Sequence, residues 1–256
     1  METINNYYSG TSGLLLPVPN KLYYPVEFQQ KSRLYYYASL TNSIEINSSF
    51  YKMPMPSTVG KLAADVPEEF LFTFKLFKEI THHKDLAFDP QVVAQFFQVI
   101  SKAEGKKGCV LVQFPPSIRI NHFAQLRFLM SVLRANDPTS EWKIALEFRH
   151  PSLYVEEVYE LLAEYQMGMV VHDKTPASSP VRDTELDFIY LRFHGPEGNY
   201  RGSYADDVLS EYASYIAEWL QKGKMVFTYF NNTMGEAHRN LSNLKNFITT
   251  AFASAG

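Results

Sequence analysis

The sequence predicts one (β/α)8, or TIM, barrel of the α/β class, and three observations carry that expectation. Short apolar runs rich in β-formers alternate with longer segments of helical period, the signature of βα units around a parallel sheet. Eight such runs can be traced, each followed by a crossover. At 256 residues the chain has the length of a barrel built as a single unit, and no linker-like, low-complexity or repeated segment divides it, so residues 1–256 read as one domain.

The first strand is the run Tyr7, Tyr8, Ser9, closed by Gly-Thr-Ser-Gly at 10–13, and a helical segment lies within 27–40. The second strand, 43–47, leads into Ser-Ser-Phe-Tyr and a Pro-rich turn. Ser57 is the expected N-cap of a helix that runs to Val66 before Pro67. The third strand is 70–76, with a polar tail through His83. Asp89 and Pro90 read as N-cap and first residue of a helix whose buried stripe is Val93, Phe96, Phe97 and Ile100. The fourth strand is 108–114, and Phe123, Leu126, Met130 and Leu133 mark its helix. The fifth is 143–148, with a helix over 155–165 that ends near Gly168 as its C′ residue. The sixth is 169–172. The stretch 174–187, holding Pro176 and Pro180, is too broken for a full helix, which makes the crossover between strands six and seven irregular. The seventh strand, 188–193, precedes a helix with Leu209, Tyr212, Ile216 and Trp219 on its apolar face. The eighth, 225–230, precedes a closing amphipathic helix carrying Ala237, Leu241, Leu244 and Ile248.

Composition narrows the partners. The 24 Lys and Arg against 27 Asp and Glu give a formal charge of -3, without the basic excess that phosphate-backbone binding usually needs. Nucleic acid is therefore not favoured. The single cysteine, Cys109, rules out an intramolecular disulfide and is expected as inert core at the start of its strand. Residues 1–6 carry no basic leader, and no run approaches the ~20 apolar residues of a membrane span. A cytoplasmic address without a membrane partner is the expectation; oligomeric state is not legible.

Parallel strands covered on both faces should be nearly continuous in apolar residues, so polar groups at their C-terminal ends are informative. Side chains at i and i+2 share a face. That rule pairs Glu45 with Asn47, Thr73 with Lys75, Glu147 with Arg149, Arg192 with His194, and Tyr229 with Asn231. Gln113 ends the fourth strand and Asp173 the sixth. Each such group costs kilocalories to bury unpaired, so a polar, ligand-sized pocket at one rim is the economical explanation.

Glu147 and Arg149 can be a structural ion pair, or Arg149 can grip an anion while Glu147, held ionised by its neighbour, acts as base or nucleophile. His194 is the candidate general acid, because imidazole titrates near neutrality; a satisfied rim histidine is the alternative. Lys75 is a charge partner for Glu45 or Glu147, or else a Schiff-base lysine. No cofactor is expected. Asp173, His194, His150 and Glu147 could supply ligands to a divalent metal, but no HExxH-like spacing supports one. The 10–13 turn offers backbone N–H groups to an anion but matches no phosphate-binding pattern.

The segments SGTSG (9–13), YYP (23–25), IEINSSFYKMP (44–54), FKEITH (77–82), LVQFPPS (111–117), LEFRHPS (146–152), LRFHG (191–195) and YFNNTMGEAHRN (229–240) resemble, in order over nearly the whole chain, the YecE-like family, domain of unknown function 72. The resemblance implies a TIM barrel and no established activity. It marks Glu45, Asn47, Phe50, Tyr51, Lys75, Gln113, Pro115, Glu147, Arg149, His150, Arg192, His194, Asn231 and Asn232. Family members usually carry tryptophans after the GTSG turn, where this chain has Leu14, Leu15, Leu16 and Pro17.

Together these features point to an enzyme, a hydrolase or lyase acting on a small anionic or phosphorylated substrate. Lys75, Arg149, Arg192 and His194 would form a basic ring, with Glu147 as base or nucleophile and His194 as acid. Two alternatives stay open: a nucleic-acid-processing barrel of the endonuclease type, and a non-catalytic binder of a ligand or partner.

Overall fold

The computed structural model describes residues 4–254. The chain alternates strands and helices as the hydrophobic periods require. β1 (Tyr7–Thr11) leads to α1 (Arg33–Leu40), β2 (Ser43–Ile46), the one-turn α2 (Ser48–Tyr51) and α3 (Pro56–Ala64). β3 (Leu71–Lys75), α4 (Lys78–Thr81), α5 (Pro90–Ile100), β4 (Lys107–Gln113), α6 (Phe123–Ala135), β5 (Lys143–Glu147) and α7 (Glu156–Glu164) follow. The last third holds β6 (Gly168–Met169), β7 (Val171–His172), β8 (Phe188–Phe193), α8 (Asp206–Gln221), β9 (Met225–Phe230) and α9 (Ala237–Ser254).

All strand pairs are parallel, and they form two sheets, in the orders β1-β9-β8-β7 and β2-β3-β4-β5-β6. This corrects the expectation of one continuous eight-stranded sheet. The reason lies in the predicted sixth strand, which divides at Val170. Gly168 and Met169 pair with β5, whereas Val171 and His172 pair with β8. The Val170 N–H still donates to Leu146 O at 2.9 Å, so the short segment lies between the two sheets. On the other side β1 and β2 meet through one bridge, Ser12 to Glu45, and a Gly13 N–H to Glu45 O bond of 2.8 Å. Side chains complete that seam: Asn42 donates to Tyr7 O at 2.7 Å and accepts from Ser9 N at 2.9 Å, while the Tyr37 hydroxyl accepts from Thr11 N at 2.7 Å.

Local signals explain most boundaries. Asp89 caps α5 by accepting from Gln91 N at 2.9 Å, with Pro90 at the first position, where its fixed φ suits a helix. α1 lies within the expected 27–40 segment and starts at Arg33, because Ser32, in extended conformation, caps Tyr35 N and separates it from a 3-10 turn at Val26–Phe28. α3 is entered from extended Met55 through Pro56, not from Ser57. The turn after α7 uses Gln166 at φ 53°, so Gly168 is free to begin β6. The 174–187 crossover has no helix or strand, as its prolines require.

Two apolar layers lie between sheets and helices. One includes Phe96, Leu126 and Leu133; the other includes Leu209, Ile216, Leu244 and Ile248. A third cluster joins Leu71, Cys109, Leu111 and Ala145 of one sheet to Phe188, Tyr190, Phe227 and Tyr229 of the other. The two sheets therefore face each other across an apolar interior, a TIM-barrel-like arrangement. Cys109 belongs to that interior. No helix among the described residues is long and apolar enough to cross a membrane.

Candidate functional site

Above this interior the strands present charge. Tyr190 donates to Glu45 Oε2 at 2.5 Å, and the Tyr229 hydroxyl bridges Ser43 Oγ at 2.5 Å and Thr73 Oγ1 at 2.7 Å. Tyr229 thus supports the site from beneath; it belongs to the buried interior and not to a substrate surface, which corrects its sequence placement.

One layer up, Arg192 is buried between two carboxylates. Its Nη2 and Nε donate to Glu45 at 2.7 and 3.0 Å, and its Nη1 donates to Glu147 Oε2 at 3.0 Å. Arg149 closes on the other oxygen of Glu147 in an ion pair, and its Nη2 also donates to His194 Nε2 at 3.0 Å. Burial alone would raise the Glu45 carboxyl, but the Arg192 guanidinium outweighs it and holds the group below the usual range. For Glu147 the same contest is won by Arg149 and Arg192, which hold it well below. The expected base is ionised as predicted, but two guanidiniums compete for its lone pairs.

His194 departs from its expected role. Burial and the two nearby guanidiniums outweigh Glu147 and Asp173, and its pKa falls to about 4. Its Nδ1 faces Asp173 at 3.2 Å and its Nε2 faces Arg149, so the neutral ring carries its proton on Nδ1 and accepts at Nε2. A neutral acceptor does not serve as a general acid at neutral pH. Asp173 is occupied in turn: it accepts from the His194 N–H at 2.7 Å and from the Tyr204 hydroxyl.

The basic ring is likewise corrected. Arg192 and Arg149 are neutralised by Glu45 and Glu147, and His194 is uncharged, leaving Lys75 as the uncompensated cation of the group. Lys75 makes no ion pair among the described residues, although a charge partner was expected; its ammonium lies 4.2 Å from the Phe50 ring centroid. Burial, then Arg192, lower its pKa to about 8 against the pull of Glu147 and Glu45.

Other predicted residues divide between the rim and the scaffold. Asn47, Gln113 and Asn231 are partly exposed at strand ends, with Gln113 Nε2 donating to Phe114 O at 2.7 Å. His150 is taken up locally, pairing Nδ1 with Ser152 Oγ at 2.9 Å and capping the 3-10 turn that follows. Asn232 is buried, donates to Gly202 O and faces the Asn240 amide, both at 3.0 Å, and so anchors the 195–205 loop, while its Oδ1 has no partner. Tyr51 is 69% exposed and stacks edge-on against Phe50. Among the described residues, no three His, Cys, Asp or Glu are grouped to hold a metal ion.

Sequence reasoning missed Tyr190 and Tyr204. Tyr190 stands two residues before Arg192, so the period of the strand could have found it. Tyr204 lies in a loop without periodicity and carried no signal.

Buried polar atoms without a hydrogen-bond partner at this end include Arg149 Nη1, Asn47 Oδ1 and Asn232 Oδ1. They follow β5, β2 and β9, at the same end of both sheets.

Residues 8–254 match the family described as "Protein of unknown function DUF72". The chain belongs to the DUF72 family. It is 24% identical over 203 residues to UPF0759 protein YecE of Escherichia coli, covering 73% of this chain and 72% of that one. Among solved structures it is similar to a DUF72 family protein from Thermotoga maritima, with 26% identity, a TM-score of 0.75, and coverage of 95% of this chain and 99% of that one. A second DUF72 family protein, from Enterococcus faecalis, aligns with a TM-score of 0.78 at 19% identity over 95% of both chains. In this DUF72 chain, the matched region takes in every residue of the buried charge network.

Proposed function

We propose that the two sheets act as one barrel and that their C-terminal rim binds a small anion-bearing molecule. Arg149 carries the reading. Its guanidinium is fixed by Glu147 and His194, yet Nη1 is buried without a protein partner. An orphaned buried donor costs about 1–3 kcal/mol, so a site that keeps one is suited to a ligand that accepts from it. Lys75 adds an uncompensated positive charge, and Asn47 Oδ1 adds a further unpartnered group for a polar ligand.

As an enzyme, the protein would be a hydrolase or lyase in which the roles differ from those of a Glu–His acid–base pair. Glu147 and Glu45 hold the arginines in place, and His194 keeps Arg149 aimed by accepting from it. Lys75 is then the group free to react. Preorganised positive charge of this kind stabilises developing negative charge without reorganisation.

A panel of inorganic phosphate, glycerol 3-phosphate and neutral glycerol tests the reading by ligand-induced shift of the melting temperature. The two anions should raise it and glycerol should not. Equal shifts for all three, or none, would remove the proposal.

A further inference from the structure

We infer that Lys75 is a covalent amine nucleophile and that the molecule bound at the rim carries a carbonyl group beside its anionic group. The inference rests on the anion-site reading and adds the chemistry that the site performs. Lys75 ends β3, on the same rim as Arg149, and its side chain is 9% exposed, so a narrow edge reaches solvent. Several other covered lysines have an oxygen partner: buried Lys224 meets Asp183, Lys143 meets Asp187 at 2.5 Å, and Lys106 donates to Val66 O at 2.6 Å. Lys75 has the Phe50 ring instead, because the two nearby glutamates are already held by arginines. A structural lysine at this depth would gain by taking one of those oxygens, so its isolation favours a reactive role.

The groups facing its ammonium come from several elements: Arg192 from β8, Glu147 from β5, Glu45 from β2, Arg149 after β5, and exposed His82 after α4. Burial and the two arginines prevail, and an amine near pKa 8 is partly unprotonated at neutral pH. Its lone pair attacks the carbonyl carbon, a C–N bond forms, and the carbonyl oxygen takes a proton from the amine to give a carbinolamine. Protonation of that hydroxyl by solvent releases water and leaves an iminium ion on Lys75. The free N–H of Arg149 is the anchor for the anionic end.

Reductive trapping decides the matter. The full chain is incubated with sodium cyanoborohydride and, separately, glyoxylate, glyceraldehyde 3-phosphate or pyridoxal 5′-phosphate, then digested and mapped by mass spectrometry. At least one probe should leave its reduced adduct on Lys75, with labelling rising through a midpoint near pH 8 and at least ~10-fold ahead of exposed lysines such as Lys21 and Lys61. Lys75→Arg should leave those surface sites unchanged and abolish the main adduct. Labelling spread over surface lysines with Lys75 untouched for every probe overturns the inference. If glycerol 3-phosphate still stabilises the protein in that case, the anion reading stands alone. If Lys75 labels equally well in Arg149→Gln, the nucleophile stands and the anion anchor falls.

Discussion

Arg192 sends three donors to Glu45 and Glu147 at 2.7 to 3.0 Å inside a site closed to solvent. Removing it strands buried Glu45 and leaves Glu147 to Arg149 alone, so Arg192→Met should cost about 3–5 kcal/mol in urea unfolding, far beyond its lost packing. His194 gives a second prediction at this scale. Its native pKa is about 4 against 6.5 in the unfolded chain, so the unfolded state takes up the proton first. Stability is therefore full above pH 6.5 and falls as pH drops from 6.5 towards 4. Relative to His194→Gln, the native protein should lose about 3 kcal/mol across that window, measured by urea titrations at successive pH values. Pairings between residues were legible from the sequence: the period of a strand placed Glu147 with Arg149 and Arg192 with His194. Their roles were not, because the sign of each shift depends on depth and on partners brought from distant strands, such as Asp173 and Glu45.

The seam between β1 and β2 relies on backbone approach more than on a ladder. A Cβ on Gly10 would come within 2.1 Å of Ser43 O, a backbone atom that cannot step aside. Gly10→Ala should destabilise by about 3 kcal/mol in chemical denaturation, the upper part of the overpacking range. Gly60 lies within α3 with nothing within 4 Å of an added Cβ. Gly60→Ala should stabilise by about 0.5–1 kcal/mol, the gain expected at an open helical glycine. Most elements were readable from apolar period and caps, as Asp89 and Pro90 illustrate for α5. The division at Val170 was not, since a run as short as 169–172 cannot reveal that its halves pair with different sheets.

Across the whole molecule the net charge is -3, and within the buried cluster the described residues leave Lys75 without an ion-pair partner. A polyanion needs many such cations, so titration with single- or double-stranded oligonucleotides at low salt should stay flat; salt-dependent binding would favour the nucleic-acid alternative. The same asymmetry suits a single small anion seated on Arg149 and Lys75. Calorimetric titration of glycerol 3-phosphate into the native chain and Arg149→Gln, each verified as folded by its melting curve, tests that claim most directly. The account predicts one site per chain, with affinity at least ~10-fold weaker in the variant, the scale of a lost charge-assisted contact. Equal affinity in both proteins would contradict it.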